Sequence, residues 1–373
     1  MNQPSRWCVS ALAIILTCWV PESVAQTTTA SETRPRQTGE QLYEAACSSC
    51  HGPDGKGMPR SAVGFDTRLP DFTDCEFSTA EPDRHWRATI HLGGRARALD
   101  PKMPAFGDAL SDDEIARVAD YVHRFCRNPA WPRGDLNLPR ALLTEKAFPE
   151  NEAFVVSAFP THYTNRVDTQ FVYEHRIGAR AQYELTVPFN VARAAGTSNR
   201  GLGDIAFAFK HTVFNSPRLG SLFAAGGEVT FPTGKEQEFL GNRLTMVEPF
   251  GTFSQMLPHE SFVHAHAGFE IPLNISTANN ELFWRVAAGK TFAQGRWGRA
   301  WSPMVEVLGD REMAFGEPAL WDVLPQLQVT LSRRQHVRMN AGVRVPVNLR
   351  PRSSTAVVSF LWDWYEGSLF SGW

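Results

Sequence analysis

About twelve stretches of alternating character fill the second half of this 373-residue chain and constrain its fold more than any other feature. In one of them Val337, Met339, Ala341, Val343, Val345 and Val347 alternate with Arg338, Asn340 and Arg344. In another Val263, Ala265, Ala267, Phe269 and Ile271 alternate with His264, His266 and Glu270. A period of two puts the two sets on opposite faces of a strand. The stretches fall near 152–164, 168–178, 180–193, 203–215, 221–232, 244–257, 261–272, 281–294, 300–312, 320–333, 335–348 and 354–366. Most run to roughly 11–14 residues, against about 5–6 for ordinary strands. Short turns at 258–260 and 333–335 alternate with longer links at 194–202, 233–243 and 313–319. The strand length, the even count and one wholly apolar face fit an antiparallel, membrane-spanning β-barrel of about 12 strands with a polar lumen.

Alternation does not say which face looks outward. A soluble β-sandwich or lipocalin-like domain would bury the apolar face instead. Two observations favour the barrel. Trp301, Trp321 and Trp364 fall at strand ends. The other face carries Glu174, Arg176, Glu184, Lys210, Glu228, Arg285, Glu306, Arg338 and Arg344, more charge than a soluble core holds. His264 and His266 share that face, and without a third clear ligand they read as lumen-lining residues rather than a metal site.

The first half has a different period. Cys47-Ser48-Ser49-Cys50-His51 is a C-x-x-C-H sequence, the pattern of c-type haem attachment. Two thiols one helical turn apart can form thioethers to the two vinyl groups of one haem. The next residue, His51, then supplies an axial nitrogen to the iron. A bare C-x-x-C also suits half a zinc site or a redox dithiol. The expected cofactor is one covalently bound haem c. Met103, in Lys102-Met103-Pro104-Ala105-Phe106, is the sixth-ligand candidate, beside a proline that stiffens its loop. Met58, His85 and His91 are weaker competitors. Thr38 with Gln41, and Ser111 with Glu114, read as capping boxes that start two helices. Ile115, Val118, Ala119, Val122 and Phe125 keep helical spacing along the second. A further helix is expected over 82–92, ended by Gly93-Gly94.

With the helix running into CSSCHG, the KMPAF loop and the helix SDDEIARVADYVHRF, residues 37–127 resemble a class I monohaem cytochrome c. The resemblance implies a small all-α domain, His/Met iron ligation by His51 and Met103, thioethers at Cys47 and Cys50, and one-electron transfer. No catalytic acid, base or nucleophile is then required, and the chain reads as an electron carrier more than an enzyme. GLGDIAFAFKHTVF followed by GGEVTFPTG resembles the outer-membrane family associated with the meta-pathway of phenol degradation, which implies a barrel and no particular substrate. The whole layout is similar to porin–cytochrome fusions.

Residues 1–25 read as a secretory signal, with Arg6, an apolar run from Cys8 to Val20 and Ser23-Val24-Ala25 for cleavage. The domains expected after it are a flexible 26–36, a cytochrome domain 37–127, a Pro-rich linker 128–149 and a barrel 150–373. In an oxidising compartment Cys75 and Cys126 are suited to a disulfide. Net charge is −2, so no basic excess points to nucleic acid. The expected setting is the bacterial outer membrane, with the haem domain facing the periplasm. The expected partners are membrane lipid, periplasmic redox proteins and a small-molecule donor or solute. Two alternatives stand beside electron transfer. One is a solute channel with a redox-sensing or gating haem domain, and the other a soluble periplasmic cytochrome with a β partner-binding domain.

Overall fold

A computed structural model describes residues 36–66, 68–161, 166–194, 197–274, 278–349 and 352–364. The expected signal segment lies outside them. From Gln37 onward the chain packs as one unit.

Among the described residues six α-helices come first: α1 (Gly39–Ala46), α2 (Ser48–His51), α3 (Arg60–Val63), α4 (Cys75–Ser78), α5 (Asp83–Leu92) and α6 (Asp112–Val122). Both capping boxes form. Thr38 Oγ1 accepts from the Gln41 amide at 3.2 Å, and Gln41 Oε1 accepts from the Thr38 amide at 2.9 Å. Ser111 and Glu114 repeat the arrangement at α6. Such a cap contributes about 1 kcal/mol. α5 stops at Gly93, whose φ of 76° suits glycine. Leu42 and Tyr43 of α1 pack with Ile115, Val118, Ala119 and Val122 of α6, Ile90 of α5 and Phe72. α1 and α6 approach so closely at Gly39 that a Cβ there would lie 2.2 Å from the Arg117 carbonyl oxygen. Cys75 and Cys126 are joined, with Cα atoms 5.0 Å apart, tying α4 to the chain just beyond α6. α3 and α4 are single turns, too short to leave a period in the sequence.

Fourteen strands follow: β1 (Glu152–Pro160), β2 (Arg166–Ile177), β3 (Ala181–Ala194), β4 (Thr197–Leu202), β5 (Ile205–Ser216), β6 (Ser221–Phe231) and β7 (Met246–Leu257). Then come β8 (Ser261–Pro272), β9 (Glu281–Lys290), β10 (Phe292–Ala293), β11 (Ala300–Glu312), β12 (Leu320–Thr330), β13 (Val337–Pro346) and β14 (Thr355–Asp363). Apart from the short extensions β4 and β10, twelve strands form one antiparallel ring. β1 pairs with β14, Glu152 opposite Asp363 and Pro160 opposite Thr355, so the ring closes. β9 and β11 pair directly across the short β10. Among the described residues the twelve-stranded ring has no open edge, and only the short β4 and β10 pair on one side.

The faces settle the orientation that alternation left open. Phe207, Phe209, Phe223, Phe269, Val305, Val307, Leu327, Val343 and Phe360 are all exposed on the outside. Lys210, Thr252, His264, Glu306, Gln326, Gln328 and Asn340 are buried inside. The apolar face is therefore the outer one, the reverse of a soluble sandwich. Trp301 and Trp321 are exposed at strand ends as expected, but Trp364 is buried, 5.8 Å from the ring of Tyr173. The strands are joined at one end by short turns (178–180, 217–220, 258–260, 294–299, 331–336) and at the other by longer loops.

The expected linker has an unexpected place. Residues 136–150 run into the lumen from the short-turn end and bond to its inner wall. The amides of Leu142, Leu143 and Thr144 donate to the Glu306 carboxylate at 3.0, 3.1 and 2.6 Å. Arg140 bonds Glu145 at 2.8 Å and also reaches Glu152 and Glu174. Arg285 donates to the Leu143 carbonyl at 3.0 Å, and Lys210 to that of Lys146 at 2.7 Å. Apolar side chains join in: Phe148 and Ala147 pack on Leu222 and Ala224, and Leu142 on Leu308 and Leu324. A proline-rich segment suits this position because Pro139 brings a carbonyl and no amide that would need a partner. That carbonyl accepts from His264 Nε2 at 3.0 Å.

Candidate haem site

C-x-x-C-H spans the C-cap of α1 and all of α2, so one turn of helix carries both thiols and the imidazole. Tight backbone bonds hold the turn: His51 N to Cys47 O at 2.9 Å, Gly57 N to His51 O at 2.9 Å and Met58 N to Cys50 O at 2.8 Å. Gly52, Gly55 and Gly57 all have φ near 75°. At Gly57 a Cβ would also stand 2.8 Å from that of Leu69. The Tyr43 hydroxyl donates to the Gly52 carbonyl at 2.7 Å, locking this loop to the helix core.

Cys47, Cys50, His51 and Met103 line one cavity of about 290 Å³. Its walls are mostly apolar, with Phe65, Leu69, Phe72, Trp86, Ile90 and Phe106 among them. The His51 ring stacks on Phe72, centroids 4.8 Å apart. Burial pushes its imidazole down to about 4, so at neutral pH it is the uncharged ring that a metal requires. Met103 sits on a turn closed by its amide to Asp100 O at 3.2 Å and by Gly94 N to its own carbonyl at 3.1 Å. Gly94 is required there, since a Cβ would lie 2.0 Å from the Asp100 carbonyl oxygen.

The competitors are placed elsewhere or otherwise engaged. Met58 and His91 do not line the cavity. His85 does, but its nitrogens bond Glu81 at 3.0 Å and Gln335 at 3.2 Å. Of the barrel histidines, His264 bonds Ser254 at 2.8 Å and Pro139, and serves the lumen segment. His266 lies between Phe250 and Phe283.

The sequence reading missed that the barrel helps to build this cavity. Arg334 and His336, from the turn between β12 and β13, line it together with Glu81 and Arg97. Arg334 donates to the Ala98 carbonyl at 2.9 and 3.2 Å. His336 Nε2 bonds Glu81 at 3.0 Å. Burial alone would raise the Glu81 carboxyl, but hydrogen bonds from His336 and His85 hold it well below its usual range. Nearby, Arg296 pairs with Asp112, and Trp297 meets the ring of His91 at 5.6 Å. The helical domain is thus seated on the short-turn end of the barrel. The only hint in the sequence was the pair of basic residues in the 333–335 turn.

The cavity fits a c-type haem in its donor set: two thiols and an imidazole on one helical turn, a thioether from another loop, and flat aromatic and aliphatic walls. The comparisons agree. Residues 34–122 match the family described as "Cytochrome C oxidase, cbb3-type, subunit III". The chain is 33% identical over 97 residues to a cytochrome c6 of Picosynechococcus, covering 75% of that protein and 25% of this chain. It is 38% identical over 92 residues to the fructose dehydrogenase cytochrome subunit of Gluconobacter japonicus, covering 22% of this chain. It spans only 18% of the length of that subunit. Among solved structures, the COG4313 outer membrane channel from Pseudomonas putida F1 aligns with 60% of this chain and 99% of its own, at 10% identity and a TM-score of 0.44. Fold and site define a c-type cytochrome domain joined to a closed twelve-stranded barrel. Through that domain the chain belongs to the cytochrome c family.

Proposed function

We propose that this protein transfers electrons at the bacterial outer membrane, with its barrel in the bilayer and its haem domain on the periplasmic side. One observation carries the reading: a cytochrome cavity is built partly from the short-turn end of a closed barrel whose apolar face is outside. An outward apolar face needs lipid to cover it. Short turns lie on the periplasmic side of such barrels, which is the end that holds the haem domain. An export signal over residues 1–25 belongs to the same reading.

In this reading Cys47 and Cys50 fix one haem by thioethers, and His51 and Met103 are its axial ligands. Bound there, the group supplies one-electron exchange at a potential raised by the thioether sulfur. The protein's part is to exclude water and to keep the ligands in place. Phe72 orients His51, Gly94 lets the Met103 turn close, and Phe65, Leu69 and Ile90 keep the cavity dry. Periplasmic redox proteins would meet the exposed rim of the domain. A small donor or acceptor would meet the far side, where the lumen keeps a cavity of about 340 Å³ lined by Glu184, Glu228, Glu248, Glu270, His266 and Arg285. A small molecule held in that cavity would stand within the apolar band, which is about 25 Å tall, rather than beyond it.

A second reading rests on the lumen segment itself. It is continuous with the helical domain, so a redox-linked shift of that domain would act on the plug of a solute channel. Proteoliposomes separate the two. Electron transfer requires that the haem inside be reduced by an external donor that cannot cross the bilayer, with solute flux unchanged by redox state. Flux that follows redox state, with no reduction from outside, would favour the channel.

A further inference from the structure

A haem attached through its two vinyl groups still carries two propionates on the opposite edge of the macrocycle. Both are carboxylates at neutral pH, and inside an apolar cavity each needs a donor or a cation. The cations lining this cavity are Arg68 and Arg97 from the helical domain and Arg334 from the barrel turn. Arg97 is the most deeply placed, with 4% of its surface exposed. Its guanidinium has five N–H donors in a fixed fork. The hydrogen bond it makes is a long one, Nη2 to the Arg334 carbonyl at 3.4 Å. Arg334 in turn spends Nε and Nη2 on the Ala98 carbonyl. The two arginines are thus cross-tied, 97–98 to 334, at the cavity wall. The acid whose charge acts on Arg97 is Glu81, itself bonded to two histidines, and burial penalises a guanidinium so incompletely paired. Two acids also reach the cavity. Glu81 is committed to His85 and His336, and Asp100 caps the Met103 turn by accepting from the Lys102 amide at 2.9 Å.

Resting on the haem reading above, we propose that Arg97 and Arg334 together bind a haem propionate, so that a turn of the barrel is part of the haem site. The barrel would then be more than an anchor. Its β12–β13 turn would set the charge beside the cofactor, and the haem potential would report on the state of the barrel.

The test uses the full haem-loaded chain in detergent. Arg334→Gln and Arg97→Gln are compared with Arg333→Gln, which removes the same charge from an exposed position in the same turn. Losing a cation beside the haem makes reduction less favourable. Arg334→Gln and Arg97→Gln are therefore each expected to lower the midpoint potential by about 59 mV relative to Arg333→Gln, a tenfold shift in a one-electron equilibrium. The propionate bending band in resonance Raman should shift with them. If Arg334→Gln and Arg333→Gln agree in both potential and Raman band, the proposal is wrong. Should Arg334→Gln fail to fold, Arg334→Lys, which keeps the charge but loses the fork, decides by the Raman band alone: a shift supports the proposal, no shift overturns it. Failure of the underlying haem reading would look different, as wild-type protein without covalently attached haem.

Discussion

Gly39 shows how much can hang on one missing side chain. The carbonyl of Arg117 occupies the space where its Cβ would be, so the crossing of the first and last helices depends on it. Gly39→Val should destabilise the haem domain by about 1–3 kcal/mol through overpacking, read as a lower melting temperature of the domain with its haem attached. Met103 acts through chemistry instead. Met103→Ala should leave the haem covalently attached but lower its potential and alter its visible spectrum. An unchanged potential would remove Met103 as a ligand. Residues whose partners are close in sequence were the legible ones: Thr38 with Gln41, Ser111 with Glu114, Cys47 with Cys50 and His51. Arg334 and His336 were not, because their meaning comes from Ala98 and Glu81, more than two hundred residues away. His264 belongs with them, since its partner Pro139 is across the lumen.

At the scale of elements, the strands were legible and the lumen segment was not. A twelve-residue strand repeats its alternation six times, and the pattern survives whatever it packs against. Residues 136–150 have no period, because their partners are scattered over the wall: Arg140 meets β1 and β2, residues 142–144 meet β11, and Lys146 and Ala147 meet β5 and β7. Their prolines suggested a spacer, yet their charges are bound up with those of the wall, Arg140 with Glu152 and Glu174 and Glu145 with Lys210. Arg140 meets two carboxylates that have no exposed surface, Glu152 and Glu174. Arg140→Ala takes the guanidinium from both acids and leaves Glu152 only Lys146, at 3.7 Å, at a cost of about 3–5 kcal/mol. The heat-modifiable gel shift of the barrel should then occur at a clearly lower temperature. The Cys75–Cys126 link is the corresponding tie in the helical domain, closing a loop with a sequence separation of 51. Replacing both with serine should cost about 2–5 kcal/mol, visible as easier unfolding in denaturant while the haem spectrum at rest is unchanged.

For the whole molecule, the seam between helical domain and barrel is the decisive feature, and Glu81 is the carboxylate at its centre, bonded to His85 of the helical domain and His336 of the barrel turn. Its folded carboxyl titrates well below the ordinary 4.5. A depressed carboxylate adds stability that is complete above that value and is lost as pH falls through the folded one. Docking of the haem domain should therefore hold from neutrality to about pH 4.5 and weaken below it. Limited proteolysis between the two parts, followed against pH, checks this, and Glu81→Gln should flatten the dependence. Beyond the basic pair of the 333–335 turn no local pattern announced the seam, since it joins turns far apart in sequence until the ring has closed.

That closure has a consequence for biogenesis. β1 and β14 are neighbours, so the ring cannot shut until the final strand has been made. By then residues 136–150 and the helical domain already exist, since they precede every strand. The segment is therefore enclosed rather than inserted, as the wall assembles around it and its carboxylates and arginines find their partners. The helical domain therefore stays at the end from which the segment enters, held there by the turns it bonds to.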